Sequence, residues 1–268
     1  MTKGAVLFAF NTEEVNYFRQ AEITAKRINY FLDLPVTVIT NEDSLLTGSS
    51  DIFDKIILTK EDSSNLLRRK TWINKNRFVA YEQSPYDQTL LLDTDYVVNS
   101  NKLLKTFNFP TDICAHKNVL YLMNGNVSTQ SLSSQSFETF WATVVNFKKT
   151  EKVKQVFECM KMIQDNYFHY ASLHNFISNP FRNDYALTLA KRIVNGHFEN
   201  ISETIPWSLV HIGDNTIVHK NSTDFYDTNY TVLYDTSYKG KYKKVDITIK
   251  DMDFHMLNKT NFAELYFE

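Results

Sequence analysis

The order in which short apolar runs and helix-periodic segments alternate over the first hundred residues limits this chain to few folds. Gly4 to Phe10 is an apolar run closed by polar residues and reads as a buried strand. Asn11 with Glu14 has capping-box spacing and predicts a helix there, with Val15, Phe18, Ala21, Ala25, Ile28 and Leu32 recurring every three or four positions until Pro35 ends it. Val36 to Thr40 and Lys55 to Leu58 are predicted strands, and Leu66 to Glu82 reads as a second helix, broken by Ser84-Pro85. Thr89 to Leu92 is a fourth buried strand that runs into Asp93. Such a strand, helix, strand rhythm implies α/β architecture, with a mostly parallel sheet, helices on both faces, and ligands beyond the carboxyl ends of the strands.

The second half changes character. Phe140 to Phe147 reads as a strand, Glu151 to Asn166 and Asp184 to Val194 as helices, followed by short strands at Ser208 to Ile212, Thr216 to His219, Thr231 to Leu233 and Val245 to Ile249. With no internal repeat or low-complexity linker, 268 residues are expected to form a single catalytic domain. Within it, 1–100 would bind a nucleotide, 101–230 would shape the acceptor side, and 231–268 would close the site.

Composition excludes several classes. Residues 43% hydrophobic and 22% charged are ordinary for a folded globular chain, and 20 phenylalanines and 15 tyrosines against six glycines favour a rigid aromatic core. Cys114 and Cys159 stand far apart without CxxC spacing, so a zinc site or disulfide framework is not implied and both read as reduced core thiols. The first ten residues lack a basic leader and a small-residue cleavage site, and no stretch has the apolar length of a membrane span, so a cytoplasmic location is expected. A net charge of −2 makes the whole molecule no general polyanion binder, although basic residues cluster at Arg68 to Lys70, Lys148 to Lys154 and Lys239 to Lys244. G-x-S-x-G, H-E-x-x-H, Walker and G-x-G-x-x-G patterns are absent.

The segment Leu90-Leu91-Leu92-Asp93-Thr94-Asp95 carries the most chemistry. Two carboxylates one residue apart at the end of a buried strand lie on one side of the chain, where both can face a divalent cation. Mg²⁺ or Mn²⁺ favours such oxygen ligands and completes its shell with phosphate oxygens and water. Asp is also common in turns at strand ends, so its spacing alone leaves both readings open.

The surrounding stretch, Arg77 to Asn99, RFVAYEQSPYDQTLLLDTDYVVN, resembles the region around the D-x-D of glycosyltransferase family 8, a GT-A (Rossmann-like) family that includes glycogenin and bacterial lipopolysaccharide galactosyltransferases. The resemblance implies that Arg77, sixteen positions before Asp93, touches donor phosphates, and it matches Tyr86 to the family's tyrosine at the following turn. Ala5 to Phe10 is similar to the nucleotide-binding strand, Thr143-Val144-Val145-Asn146 to the acceptor-side strand, and Phe181-Arg182-Asn183-Asp184 to the short acidic motif before a helix. On the residues alone Asp184 reads either as a helix cap or as a carboxylate that reaches the reacting sugar. The family's late H-F-x-G-x-x-K-P-W is only partly matched. Asp253-Phe254-His255-Met256-Leu257-Asn258-Lys259 keeps the histidine and a lysine without the glycine or Pro-Trp, whereas His211-Ile212-Gly213 keeps a glycine at another offset and no lysine. His255 is the preferred third metal ligand and His211 the alternative.

What the resemblance implies is a metal-dependent glycosyltransferase, retaining in outcome, that uses a nucleotide-diphosphate sugar, UDP-sugar first. Asp93, Asp95 and His255 would hold Mn²⁺ or Mg²⁺. Phe10, Asn11, Thr40, Arg77 and Lys259 would bind the donor beside the two aspartates, and Asp184 would act at the sugar. Size and richness in Phe, Tyr, Asn and Lys are similar to glycosyltransferases of tailed bacteriophages, which makes a hydroxymethylated base in double-stranded DNA one expected acceptor. A protein or lipid-linked sugar acceptor is the alternative, and a noncatalytic nucleotide-sugar or nucleic-acid binding module the reading from another class.

Overall fold

The computed structural model describes residues 1–41, 51–59, 64–67, 70–73, 75–122, 125–134, 136–176, 180–238 and 241–267. The chain opens with β1 (Lys3–Ala9), α1 (Tyr17–Leu32), β2 (Val36–Thr40) and β3 (Lys55–Leu58). Next come β4 (Ser64–Leu67), β5 (Lys70–Ile73), a 3₁₀ turn at Arg77–Val79, α2 (Ala80–Gln83), β6 (Gln88–Leu92) and β7 (Tyr96–Val97). After a 3₁₀ segment at Lys102–Asn108, β8 (Ile113–His116), β9 (Asn118–Tyr121), β10 (Asn126–Thr129) and β11 (Trp141–Lys148) precede α3 (Glu151–Asp165), α4 (Tyr167–Leu173) and α5 (Asn183–Val194). The last part holds β12 (Leu209–Ile212), β13 (Thr216–Lys220), β14 (Asn229–Tyr238), β15 (Lys241–Lys250), β16 (Phe254–Met256) and α6 (Lys259–Tyr266).

Six strands form the central sheet in the order β3-β2-β1-β6-β11-β8. The pairs β3/β2, β2/β1 and β1/β6 are parallel, whereas β11 runs antiparallel to both β6 and β8. Alternation along the strands divides two cores between its faces. Val6, Leu91, Val145 and Phe147 pack with Val153, Val156, Phe157 and Ile163 of α3 and Ala186, Leu187 and Ala190 of α5. Ala5, Leu7, Leu90, Leu92 and Val144 meet Phe18, Ala21, Ala25 and Ile28 of α1 on the other side. The fold is thus mixed α/β, with a mostly parallel central sheet between helices, and each fully buried aliphatic or aromatic side chain contributes about 1.5–3 kcal/mol of burial.

Two further sheets flank this core. One has the order β10-β9-β12-β16-β7, and the other is the antiparallel meander β13-β14-β15. A third cluster joins them, with Val97, Ile212, Val232, Phe254 and Met256 packed against Phe262 of α6 and Ile23 of α1. Arg27, buried in α1, fastens these layers. It donates to the Val98 carbonyl at 2.8 Å and the Phe225 carbonyl at 2.5 Å, and also to the Asn99 side chain. Both cysteines are buried and unbridged, and burial pushes the Cys114 thiol up to about 12 and the Cys159 thiol up to about 11.

Two sequence expectations are corrected. Leu66 to Glu82 is not one helix, because β4 and β5 form an antiparallel pair and only the turn at Arg77–Val79 and the short α2 are helical. Thr71-Trp72-Ile73 favours extended backbone, and Asn76 then takes a left-handed conformation (φ 63°) that breaks any helical continuation. The first helix is capped not at Asn11 but at Asn16, whose side chain accepts the Arg19 N–H at 2.8 Å. Asn11 instead spans the β1–α1 loop and accepts the Phe18 N–H at 2.9 Å. The helix ends at Leu32, and Asp33 in the left-handed region (φ 51°) returns its N–H to the Asn29 carbonyl before Pro35 is reached.

Candidate metal centre

The two aspartates emerge where the fully buried β6 ends. The Asp93 N–H still bonds the Thr143 carbonyl of β11 at 3.0 Å, and the Tyr96 N–H returns to the Asp93 carbonyl at 3.1 Å, so 93–96 form a tight turn into β7. β7 then pairs antiparallel with β16, Tyr96 opposite His255, and the Met256 N–H bonds the Asp95 carbonyl at 3.0 Å. A two-residue ladder thereby brings a histidine 160 positions away against the D-x-D. His255 Nε2 lies 3.1 Å from Asp95 Oδ2 and 3.9 Å from Asp93 Oδ2. Ligand atoms of Asp93, Asp95 and His255 all fall within 4.8 Å of one another. Two carboxylates and an imidazole suit Mn²⁺, and the oxygens alone suit Mg²⁺.

Two cationic side chains complete the cluster. Arg77 pairs through Nη1 with Asp93 Oδ1, and Lys259 through Nζ with Asp95 Oδ2. Arg77 is placed by its neighbour, since Asn76 and Gln164 of α3 exchange hydrogen bonds at 2.8 and 2.7 Å. Its Nε and Nη2 are buried and have no hydrogen-bond partner among the described residues. Orphaned guanidinium donors beside a solvent-reaching carboxylate are suited to an anionic oxygen. Lys259 begins α6, whose cap Asn258 accepts the Asn261 N–H at 3.0 Å and donates to the Thr216 carbonyl at 3.0 Å.

Electrostatics follow from burial. The Asp95 side chain is 7% exposed and that of Asp93 27%. Burial alone would raise the Asp95 carboxyl, but Lys259 and His255 outweigh it and hold it far below the usual carboxylate range. His255 responds in kind: burial opposes its charge, yet Asp95 and then Asp93 raise its pKa above the ordinary value. Tyr17, at the start of α1, is pushed up to about 12 by burial and by Asp95 and Asp93, with Lys259 Nζ 6.0 Å from its ring. Sequence reading missed Tyr17; its only signal was its place just beyond the end of β1.

The other candidates lie outside this cluster. His211, opposite His255 on the neighbouring parallel strand, presents its ring 5.2 Å away but is outside the group of three, and burial pushes it down to about 4. Its ring leads on to Trp141 at 5.5 Å, over which the Arg182 guanidinium stands at 5.7 Å. Asp184 is not one of the group of three. One oxygen accepts the Ala142 N–H at 2.7 Å and the other pairs with Arg182 at 2.5 Å, which ties the first turn of α5 to β11; the cap position itself is Arg182. Phe10 is buried where β1 ends, Asn11 is half-buried in the following loop, and Thr40 is enclosed at the end of β2, with the Thr59 N–H on its carbonyl at 2.9 Å. Tyr86 is structural: its ring covers Gly4 and its hydroxyl meets the Thr37 hydroxyl at 3.0 Å.

Of the basic clusters, Arg68 and Arg69 and residues 239 and 240 lie outside the described residues. Lys148, Lys152 and Lys154 of the remaining cluster pair with Asp112, Glu203 and Glu158. No helix among the described residues is long and apolar enough to cross a membrane.

No protein-family profile matches the chain, and no curated protein matches it significantly. Among solved structures it is similar to the galactosyltransferase LgtC in complex with donor and acceptor sugar analogs, at 16% identity over 69% of this chain and 69% of that one, with a TM-score of 0.46. It is similar to the glycosyltransferase GlyE of Streptococcus pneumoniae TIGR4 at 14% identity and a TM-score of 0.35, covering 62% of this chain but only 40% of GlyE. A third likeness is to the 4-diphosphocytidyl-2C-methyl-D-erythritolsynthase of Anaerococcus prevotii DSM 20548, at 13% identity and a TM-score of 0.35, over 64% of this chain and 84% of that one.

Proposed function

We propose that this chain is a metal-dependent glycosyltransferase that moves a sugar from a nucleotide diphosphate, UDP first, to an acceptor hydroxyl. One observation carries the reading: Asp93, Asp95 and His255 converge within 4.8 Å at the carboxyl end of β6, with Arg77 and Lys259 on the same carboxylates. Asp93, Asp95 and His255 are the residues that would hold Mn²⁺ or Mg²⁺. Such an ion, when bound, supplies Lewis-acid stabilisation of a departing diphosphate.

The chain's own side chains do the rest. The N–H groups of Arg77 that have no partner among the described residues and the ammonium of Lys259 offer fixed positive charge to the diphosphate as the glycosidic bond breaks. Phe10 and Asn11 after β1, and Thr40 at the end of the adjacent β2, would bind base and ribose. Asp184 works as a positioning residue, since both its oxygens are engaged in holding α5 to β11 and in orienting Arg182. We read residues 1–268 as one catalytic domain and the outcome as retaining, which the family resemblance supports.

A modified DNA base as acceptor has no observation in its favour, and Lys148, Lys152 and Lys154 of the basic run before α3 are engaged in ion pairs. The polar and aromatic wall of His211, Trp141 and Arg182 fits a saccharide hydroxyl acceptor better. A mass-spectrometric screen of nucleotide sugars with Mn²⁺ tests the reading. Turnover is expected with one of them and lost in Asp95→Ala; undiminished turnover in that variant, or saturable nucleotide binding without product from any donor, sinks it.

A further inference from the structure

We infer that Lys259 and Arg77 are tethered counter-cations that hold the carboxylates of Asp95 and Asp93 until a divalent ion replaces them, and that this exchange couples metal binding to diphosphate binding. The inference rests on the metal and diphosphate reading given above and adds the order of events at that site.

Each metal-ligating carboxylate already has one oxygen engaged by a cation: Asp93 Oδ1 by Arg77, Asp95 Oδ2 by Lys259. His255 Nε2 approaches the same Asp95 oxygen at 3.1 Å, so that oxygen is shared between two nitrogens. Two carboxylates, one guanidinium and one ammonium sum to no formal charge. A divalent ion entering alone brings excess positive charge into a largely buried cluster, and a diphosphate entering alone meets two aspartates. Arriving together they cancel, and the cations released from the carboxylates find the phosphate oxygens.

The geometry permits the exchange. Lys259 is the first residue of α6, held in place by the Asn258 cap rather than by its own side chain, and 22% of that side chain is exposed. Arg77 holds Asp93 through Nη1 alone, and its other two nitrogens, without a hydrogen-bond partner among the described residues, are left for a new acceptor when that contact is given up. Ligand sets built this way show positive coupling, since the first ligand removes a cost that the second would otherwise meet. If Lys259 were only a structural partner for Asp95, a neutral side chain in its place would loosen the site and would not tighten Mn²⁺ in the absence of nucleotide.

The test is a Mn²⁺ titration followed by the electron paramagnetic resonance signal of free Mn²⁺, with and without UDP, on the wild-type chain and on Lys259→Met. UDP should tighten Mn²⁺ binding to wild type by about tenfold or more, in the usual range of coupling between sites. Lys259→Met should bind Mn²⁺ alone about tenfold more tightly than wild type, and the enhancement by UDP should shrink correspondingly. Lys259→Gln serves as a second neutral variant if the first folds poorly, and Lys259→Arg, which keeps the charge, should behave as wild type. Unchanged or weaker Mn²⁺ binding in both neutral variants overturns the inference. Asp95→Asn separates the two levels: if it loses Mn²⁺ while the neutral lysine variants do not gain it, only the exchange falls, whereas Asp95→Asn binding Mn²⁺ like wild type removes the metal reading as well.

Discussion

His255 faces Asp95 across 3.1 Å because β16 lays two residues beside β7, immediately after the turn that carries both aspartates. The carboxylates hold the imidazole protonated to higher pH than usual, burial notwithstanding, and a metal ligand must be unprotonated. Mn²⁺ affinity should therefore climb as pH rises through and above the ordinary histidine range, with release of about one proton per ion. Calorimetric titrations in buffers of different ionisation enthalpy measure that proton directly. A flat profile between about pH 6 and about pH 8 would show that His255 is no ligand.

Lys191 and Glu203 form an ion pair that is almost wholly enclosed, at 3.3 Å, with Lys152 on the same glutamate at 2.9 Å. Burial outweighs Glu203 at the lysine and pushes Lys191 down to about 8. At the glutamate, burial would raise the carboxyl, but Lys191 and Lys152 prevail and the net direction is down. The signs differ in consequence. A lysine with a lowered folded pKa is destabilising while charged, so stability from this group should rise with pH between about 8 and about 10.5. The lowered Glu203 contributes stability that is present above the unfolded carboxylate value and lost as pH falls below it. Glu203→Ala, which strands a buried ammonium, should cost about 3–5 kcal/mol near neutrality, and Lys191→Met much less. Urea unfolding of both variants across pH checks the order; equal losses would refute it.

Gly4 lies directly under the Tyr86 ring, where a β-carbon would come within 2.4 Å of ring atoms that have no room to retreat. Tyr86 is itself 5% exposed and fixed by the Thr37 hydroxyl. Gly4→Ala should thus destabilise by about 1–3 kcal/mol through overpacking, without altering nucleotide or metal affinity. Chemical denaturation alongside UDP titration tests both halves, and a variant of wild-type stability would show that the ring can move.

Much of this was legible because strand ends carry strong signals. Leu90-Leu91-Leu92 followed by Asp93 and Asp95 reads as a buried strand that ends in two carboxylates, and Asp95 is nearly enclosed. A helix is read in place of a strand pair at Thr71 to Ile73, where the local pattern is short, and the start of α1 is read too early where several cap residues compete, at Asn11 to Asn16. β7 and β16 are not legible because strands of two and three residues have no periodicity of their own and exist through pairing with each other and, for β16, with β12. The ion pairs of Arg77 and Lys259, 16 and 164 positions from their partners, are likewise properties of topology rather than of any motif.

The same topology separates the two histidines. His211 and His255 are register partners on parallel strands, with ring centroids 5.2 Å apart, yet only His255 points a nitrogen at the carboxylates. His211 is edged by Tyr121 and Trp141, each at 5.5 Å, and its Nδ1 is buried without a partner among the described residues. His255→Ala should then weaken Mn²⁺ by about tenfold to a hundredfold, while His211→Ala, with no hydrogen bond to any ligand, should leave it within about threefold. Loss of Mn²⁺ binding in His211→Ala equal to that in His255→Ala would assign the third ligand to the wrong strand.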